Sequence, residues 1–332
     1  MKRLPLLSVV IPTFGRPDFL PRSVKSAFLA APNEDVEIIV VPNGLDQSWR
    51  KSLASYTGDS RLRCEPIATA HVSAARNHGL ALARGKYVRF LDDDDYLLPS
   101  ATLQVEELED TGADFCSGLV LNIDSDAVIL GTLKFPSTGD FVSASVLASG
   151  FILPVGNVFL RDSLAKFRWD ETINRQEDNV WMATLAAGRE WDWRHINDHI
   201  GVWYQHANVR VSTVRTSTEL PIKVVDALFK LVNTLRDEQR LTPSRADAIA
   251  SALLGFCHRY FPSSPVYWHK VAAVAHDIAP CAIPDHPVFA NPVLQHTNFL
   301  ALEWAGLPLR LLSRSIRDLK GHLFGWDYRR RL

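Results

Sequence analysis

Residues 71–95 read HVSAARNHGLALARGKYVRFLDDDD, and this stretch decides how the rest of the chain is read. Val72, Ala75 and Gly79 recur at helical spacing, which predicts a helix over Val72–Ala83 packed on a sheet, with Arg76 and Asn77 near its N-terminal end. Lys86–Leu91 then reads as an apolar strand, and Asp92, Asp93, Asp94 and Asp95 follow it directly. Four adjacent carboxylates repel one another and raise each other's pKa unless a cation or hydrogen-bond donors compensate. Hard oxygen ligands on a strand end suit Mg²⁺ or Mn²⁺, which take a few carboxylates and complete their shell with substrate phosphates. A solvated acidic turn capping the next helix is the simpler alternative, but four aspartates exceed what a turn or cap requires.

Working outward, the run LLSVVIP from Leu6 suits a strand buried on both faces, ended by Pro12 and Gly15. A helix over Pro21–Ala30 follows, then an apolar run Val36–Val41 that stops at Pro42-Asn43-Gly44. The alternation continues with a helix near Gln47–Tyr56, a short strand around Leu62, a helix over Ser100–Asp110 and a strand over Asp114–Val120. Strands interleaved with helices predict right-handed crossovers and a largely parallel sheet covered on both sides. Such sheets bind ligands at the carboxyl ends of their strands. Beyond Asp124 the pattern loosens, with strand-like runs at Val128–Leu133, Val155–Leu160 and Gly201–Tyr204 and a helix around Asp178–Ala187. From Glu219 long helical stretches dominate, so a boundary near 215 divides the chain into 1–214 and 215–332.

The length of 332 residues fits about two domains, and a composition of 47% hydrophobic and 22% charged residues excludes a disordered, collagen-like or disulfide-scaffold protein. The formal net charge of −1 hides an uneven spread: residues 307–332 carry seven basic residues against Asp318 and Asp327. A near-neutral total excludes a generally basic nucleic-acid coat, while a basic tail leaves a charged surface as a partner. Cys64, Cys116, Cys257 and Cys281 have no zinc or redox spacing, which predicts buried free thiols in a reducing cytosol. Leu4–Thr13 reads as a strand rather than a signal peptide, and no apolar run reaches the ~18 residues of a membrane span.

The segments SVVIPTFGRPDFLPRSVKSAF, VEIIVVPNG, HVSAARNHGLALARGKYVRFLDDDD and RWDETINRQEDNVW occur in that order. Together they resemble the inverting glycosyltransferases of family 2 over roughly residues 6–212. The resemblance implies the α/β GT-A fold, a Rossmann-like mixed sheet that uses a nucleotide-diphosphate sugar, here with a C-terminal helical region. By it, Asp92-Asp93-Asp94 matches the Asp-x-Asp motif: Asp94 is the metal ligand, Asp92 contacts the donor ribose or assists the metal, and Asp93 takes the variable middle place. Pro12, Thr13 and Phe14 match the first nucleotide loop, and Arg76 matches an arginine that reaches the nucleotide. Asn43 stands where the family usually has an aspartate reading the uracil edge. An asparagine still offers one donor and one acceptor face, so a UDP-sugar remains favoured.

On the acceptor side the same resemblance makes Asp178 the base and Glu177 its positioning or acceptor-binding neighbour. Read alone, the two carboxylates would only complement a helix N-terminus. His206, in WYQHANVRVS, matches a position that completes the metal shell or approaches the diphosphate; a lone histidine is otherwise structural. The tryptophans at 169, 181, 191, 193 and 203 read as core, with an aromatic platform for an acceptor sugar as the alternative for one of them. Leu309, Leu312, Ile316, Leu319 and Leu323 run at 3-4-3-4 spacing with Arg310, Arg314, Arg317 and Lys320 largely off that stripe. That pattern fits a helix lying on anionic lipid at the inner face of the plasma membrane, or one packed on its own domain or a second subunit.

The resulting expectation is a cytosolic, Mn²⁺- or Mg²⁺-dependent inverting transferase that moves a sugar to a glycan or lipid-linked acceptor, with no nucleic-acid partner. A non-catalytic nucleotide- or sugar-binding module is the competing class, and the Glu-Asp pair argues against it because a binder needs no base. A phosphotransferase of the haloacid dehalogenase type also places Asp-x-Asp after a strand, but Asp95-Tyr96-Leu97 replaces the Thr or Val expected there.

Overall fold

The computed structural model describes residues 4–147, 150–206 and 221–324. Its frame is a nine-stranded mixed sheet of β1 (Leu7–Thr13), β2 (Val36–Pro42), β3 (Leu62–Cys64), β4 (Tyr87–Phe90), β5 (Tyr96–Leu97), β6 (Phe115–Asp124), β7 (Ile129–Leu133), β8 (Asn157–Leu160) and β9 (Trp193–Gln205). The strand order is β3-β2-β1-β4-β8-β6-β9-β5, with β7 paired to β6. The first four strands are parallel, as the strand–helix alternation requires. Parallel order breaks beyond β4, because β8 enters from the carboxyl-end side and runs antiparallel to both β4 and β6. The expectation of a largely parallel sheet is therefore corrected for this half, where β6–β9 is parallel and β5–β9 antiparallel.

Helices α1 (Leu20–Ala27), α2 (Trp49–Ser52), α3 (Val72–Leu82) and α4 (Thr102–Thr111) make the early crossovers. The helix expected over Gln47–Tyr56 is instead two short pieces, α2 and a single 3₁₀ turn at Ala54–Tyr56. After β7 come α5 (Phe141–Val146) and α6 (Glu177–Gly188), and then α7 (Ile222–Asp237), α8 (Pro243–Tyr260), α9 (Pro265–Ile278), α10 (Pro292–Gln295) and α11 (Phe299–Phe324).

The period-2 geometry of a strand sorts β1 between two cores even though every residue in it is buried. Leu7, Val9 and Ile11 pack with α1, α2 and α4, while Val10 on the other face packs with α3 and α6. Gly79 lets α3 lie against β1, since a Cβ there would fall 2.2 Å from Val10 Cγ1. The second core does not stop at the sheet. It continues from Trp181 and Leu185 of α6 into Val225 and Leu228 of α7 and Leu253 of α8, so the C-terminal helices complete the core beneath α6. The boundary placed near 215 lies outside the described residues. Cys116 and Cys257 are buried as expected, whereas Cys64 is half-buried and Cys281 is exposed, which corrects the reading of all four as buried thiols.

Candidate active site

The turn after β4 sends each of its aspartates to a different partner. Asp92 Oδ1 accepts from Arg76 Nη2 at 2.7 Å. Asp93 is 3% exposed and accepts from Thr13 Oγ1 at 2.6 Å and from Arg16 Nη1 at 3.0 Å. Asp94 Oδ2 lies 2.9 Å from Arg16 Nη1 and 3.0 Å from His206 Nε2. Asp95 Oδ1 accepts the backbone N–H of Tyr204 at 3.0 Å and so ties the turn to the end of β9. The repulsion expected of the carboxylates is thus offset by Arg76 at Asp92 and by Arg16 at Asp93 and Asp94. Burial nevertheless pushes the Asp93 carboxyl up to about 7, against the pull of Arg16 and with Asp94 adding to the rise.

Helix α1 fixes the backbone of this turn. Ser23 Oγ donates to the Asp93 carbonyl at 2.8 Å, and Arg22 Nη2 donates to the Asp94 carbonyl at 2.8 Å. The Arg22 guanidinium lies over the rings of Tyr96 and Tyr204, 4.4 and 3.9 Å from their centroids. Neither Arg16 nor Arg22 stood out in the sequence. Their signal is positional, since both follow the first strand in FGRPDFLPR and loops after strands carry such sites.

Arg76 joins the turn after β4 to the start of α6. It is 1% exposed, stacks over Trp169 at 4.3 Å, and its Nη1 reaches Glu177 Oε1 at 3.4 Å and Asp178 Oδ1 at 3.2 Å. Burial disfavours its charge, but Asp92, Asp178 and Glu177 outweigh that and hold its pKa above the ordinary value. The arginine expected to reach the nucleotide therefore has both terminal nitrogens on carboxylates. Asp178 shows the converse effect: burial drives its carboxyl well above the usual carboxylate range, Arg76 opposes this, and Glu177 and Asp92 add to the rise. Gln176 just before α6 has φ +59°, an uncommon left-handed conformation for a side-chain-bearing residue. Such outliers cluster at functional sites. Asn77 brackets Trp169, donating to its carbonyl at 2.9 Å and accepting its N–H at 2.8 Å.

The residues expected to form the nucleotide loops converge at the same strand ends. Asn43 donates to the Thr13 carbonyl through both its backbone N–H at 3.0 Å and its Nδ2 at 3.1 Å. Gly44 has φ +81°, and a Cβ there would fall 2.9 Å from Ala70 and 3.0 Å from the Phe14 ring. Pro12 and Thr13 are buried while Phe14 is exposed, so the loop presents one aromatic face to solvent beside the carboxylates. Among the tryptophans, Trp169 and Trp181 stack at 4.5 Å within the core, and Trp191 and Trp193 are buried around Phe115 and Phe141. Trp203 is half-buried.

The donor set fits a divalent ion in a limited sense. His206 is held flat on Phe19 with ring centroids 4.3 Å apart, and its Nδ1 is buried without a hydrogen-bond partner among the described residues. No preformed cluster of three or more metal-ligating side chains occurs among the described residues, and Asp92 Oδ1 is turned to Arg76. Asp94 and His206 form a carboxylate–imidazole pair of the kind that Mn²⁺ or Mg²⁺ can take when phosphate oxygens complete the shell.

A sheet of this kind with an acidic turn at its carboxyl end has the GT-A fold, and the relatives it matches, one of them over 33% of that protein's length, are named glycosyltransferases. Residues 8–142 match the family described as "Glycosyl transferase family 2". The chain is 34% identical over 114 residues to the uncharacterized glycosyltransferase EpsJ of Bacillus subtilis, a match covering 33% of each chain. It is 29% identical over 185 residues to the UDP-Glc:α-D-GlcNAc-diphosphoundecaprenol β-1,3-glucosyltransferase WfaP of Escherichia coli, covering 55% of this chain and 71% of that one. The fold is similar to that of S. aureus TarS 1–349 in complex with UDP, at a TM-score of 0.62 and 14% identity over 91% of both chains.

Proposed function

We propose that this protein is an inverting, metal-dependent glycosyltransferase that moves a sugar from a UDP-sugar to a hydroxyl of a glycan or lipid-linked acceptor. The observation that carries the reading is the span of Arg76: one buried guanidinium holds Asp92 on the donor side and Glu177 and Asp178 on the acceptor side. Two relatives support the nucleotide and the acceptor class, since TarS is described with UDP and WfaP is named for a UDP-glucose donor and a diphosphoundecaprenol acceptor.

In this mechanism the Phe14 and Asn43 loops receive the base, and the sugar lies between the Asp92–Asp94 turn and α6. Asp94, with His206 and Asp92, would hold Mn²⁺ or Mg²⁺, whose charge stabilises the diphosphate as it leaves. Asp178 accepts the proton of the acceptor hydroxyl while that oxygen bonds to the anomeric carbon from the face opposite the diphosphate. The anomeric C–O bond breaks with its electron pair going to the diphosphate, and the configuration inverts. A carboxyl pKa raised by burial makes Asp178 a stronger base than a solvent-exposed aspartate. Glu177 orients Asp178 or the acceptor, and Arg76 keeps these carboxylates at fixed separation.

A thermal-shift panel of nucleoside diphosphates with and without Mn²⁺ tests the donor class, because a ligand of the native state raises apparent stability by mass action. UDP with Mn²⁺ is expected to raise the melting temperature most. No shift with any nucleotide refutes the reading. The anomeric configuration of the transferred sugar, read by NMR of the product, tests inversion.

The tail supplies the acceptor's setting. No described helix is long and apolar enough to cross a membrane. Leu309, Leu312 and Ile316 of α11 are 70, 58 and 45% exposed, while Arg310 is held by Glu303 and the His258 carbonyl. The side chains of Arg314, Arg317, Leu319, Lys320 and Leu323, and all of residues 325–332, lie outside the described residues. An exposed apolar stripe on a strongly basic segment fits peripheral contact with an anionic membrane. Pairing with a second copy would set basic helix against basic helix. Flotation with anionic vesicles is expected at low salt and to weaken at high salt; a dimer in solution without flotation points to the second copy instead.

A further inference from the structure

A cation of the protein itself stands against the proposed metal-ligand pair. Arg16 Nη1 sits between two carboxylates, 3.0 Å from Asp93 Oδ1 and 2.9 Å from Asp94 Oδ2. The same Asp94 oxygen faces His206 Nε2 at 3.0 Å, so the position between Asp94 and His206 is flanked by a fixed positive charge. A divalent ion on Asp94 Oδ2 would lie within a few ångströms of that guanidinium, where like charges repel strongly in a partly desolvated site. Arg16 is not locked there from every side. Its side chain keeps 23% of its surface exposed, and it follows Gly15, which has φ +66° and whose N–H donates to Asp46. The loop also stands at the carboxyl end of β1, the side on which the nucleotide loops converge.

We infer that Arg16 is a resident competitor for the divalent ion: in the free protein its guanidinium occupies Asp93 and Asp94, and it leaves them for the donor diphosphate, yielding its place on Asp94 to the ion. This rests on the metal-dependent donor reading above and adds a specific residue to it. A guanidinium is suited to such an exchange, because its planar fork pairs as well with two phosphate oxygens as with two carboxylate oxygens. Moving Arg16 removes a positive charge from the ion's position and places it on the group that also ligates the ion. Diphosphate and metal therefore support one another through Arg16, and the coupling is reciprocal.

The test is Mn²⁺ binding by the full chain, read from the EPR signal of free Mn²⁺, for wild type, Arg16→Gln and Arg16→Lys, each with and without UDP. Arg16→Gln removes the competing charge, so it is expected to bind Mn²⁺ without nucleotide about tenfold more tightly than wild type, a coupling of ordinary size. UDP is then expected to improve its Mn²⁺ affinity less than it improves that of wild type. Arg16→Lys keeps the charge without the fork and is expected to stay near wild type when nucleotide is absent. Thermal melts of the three proteins verify that each is folded, and Arg16→Lys carries the comparison if Arg16→Gln does not fold. In that case an unchanged UDP effect in Arg16→Lys overturns the proposal and a reduced one supports it. Unchanged or weaker Mn²⁺ binding by folded Arg16→Gln overturns the role of Arg16 alone. Failure of every protein to bind Mn²⁺ even with UDP overturns the metal reading and this inference with it.

Discussion

The proposed base Asp178 lies where burial disfavours charge, and that tension yields a pH signature. Its carboxyl titrates well above the usual range, so the acid limb of kcat/KM is expected well above the ~3.9 of a free aspartate. Asp178→Asn should lower kcat by about 10²–10⁴-fold, as loss of general-base catalysis does, without unfolding the protein. The sign of the stability effect follows from the same shift. The neutral carboxyl is the form the fold prefers, so the stability from Asp178 is present below the ordinary carboxylate pKa and lost as pH rises through the raised value. Asp178→Asn is therefore expected to gain stability over wild type at pH 8 and not at pH 4, measured by thermal melts. Arg76 is the opposite case, a buried charge that three carboxylates require. Arg76→Ala should cost about 3–5 kcal/mol, the usual result of removing one partner from a buried ion group. Chemical denaturation measures it, and a loss below 1 kcal/mol would show that the carboxylates relax without Arg76.

At the scale of elements, the site is a set of strand and helix ends held in register by close packing. Gly79 sets the distance between α3 and β1, so Gly79→Ala is expected to destabilise by about 1–3 kcal/mol through overpacking against Val10. It should also lower activity, because α3 carries Arg76; unaltered stability would mean that the helix shifts without resistance. The other end of α6 is held from the C-terminal helices. Arg240 donates to the carbonyls of Ala186 at 3.1 Å and Ala187 at 2.9 Å, which are among the last acceptors of the helix. A residue of the α7–α8 loop thereby steadies the helix that presents Glu177 and Asp178.

Across the whole molecule, α7 and α8 share a core with α6 and are tied to it by ion pairs. Besides the shared core, Arg245 pairs with Asp140 at 2.7 Å and with Glu190 at 2.7 Å, and Arg240 pairs with Glu190 at 2.7 Å. Hydrogen bonds from Arg245 and then Arg240 pull the Glu190 carboxyl down to about 2, against desolvation. The pair's contribution is thus present above the ordinary glutamate pKa and lost as pH falls toward 2. Glu190→Gln should lower the melting temperature by about 1–3 °C at pH 7, since a half-exposed pair contributes little. That difference should close as pH falls from 5 toward 2. A difference that persists at low pH would assign the effect to packing instead of charge.

Much of the frame was legible in the sequence. Runs such as LSVVIPT and VEIIVVP are apolar on both faces and so declare buried strands, and the strand–helix alternation around 71–95 commits β1–β4 to one parallel arrangement. The same local grammar placed Asp92–Asp95 and Glu177–Asp178 at strand and helix ends. The antiparallel entry of β8 and the two-residue strand β5 were not legible, because both depend on neighbours distant in the chain. Nor could spacing show that Arg16 sits on Asp93 and Asp94, 77 and 78 positions away, or that Arg76 bridges to residues 101 and 102 positions on. Residue type and period fix which segments bury and which loops carry charge, since those depend on local backbone geometry. Which carboxylate meets which cation is a long-range balance of burial against pairing, and only the tertiary structure decided it.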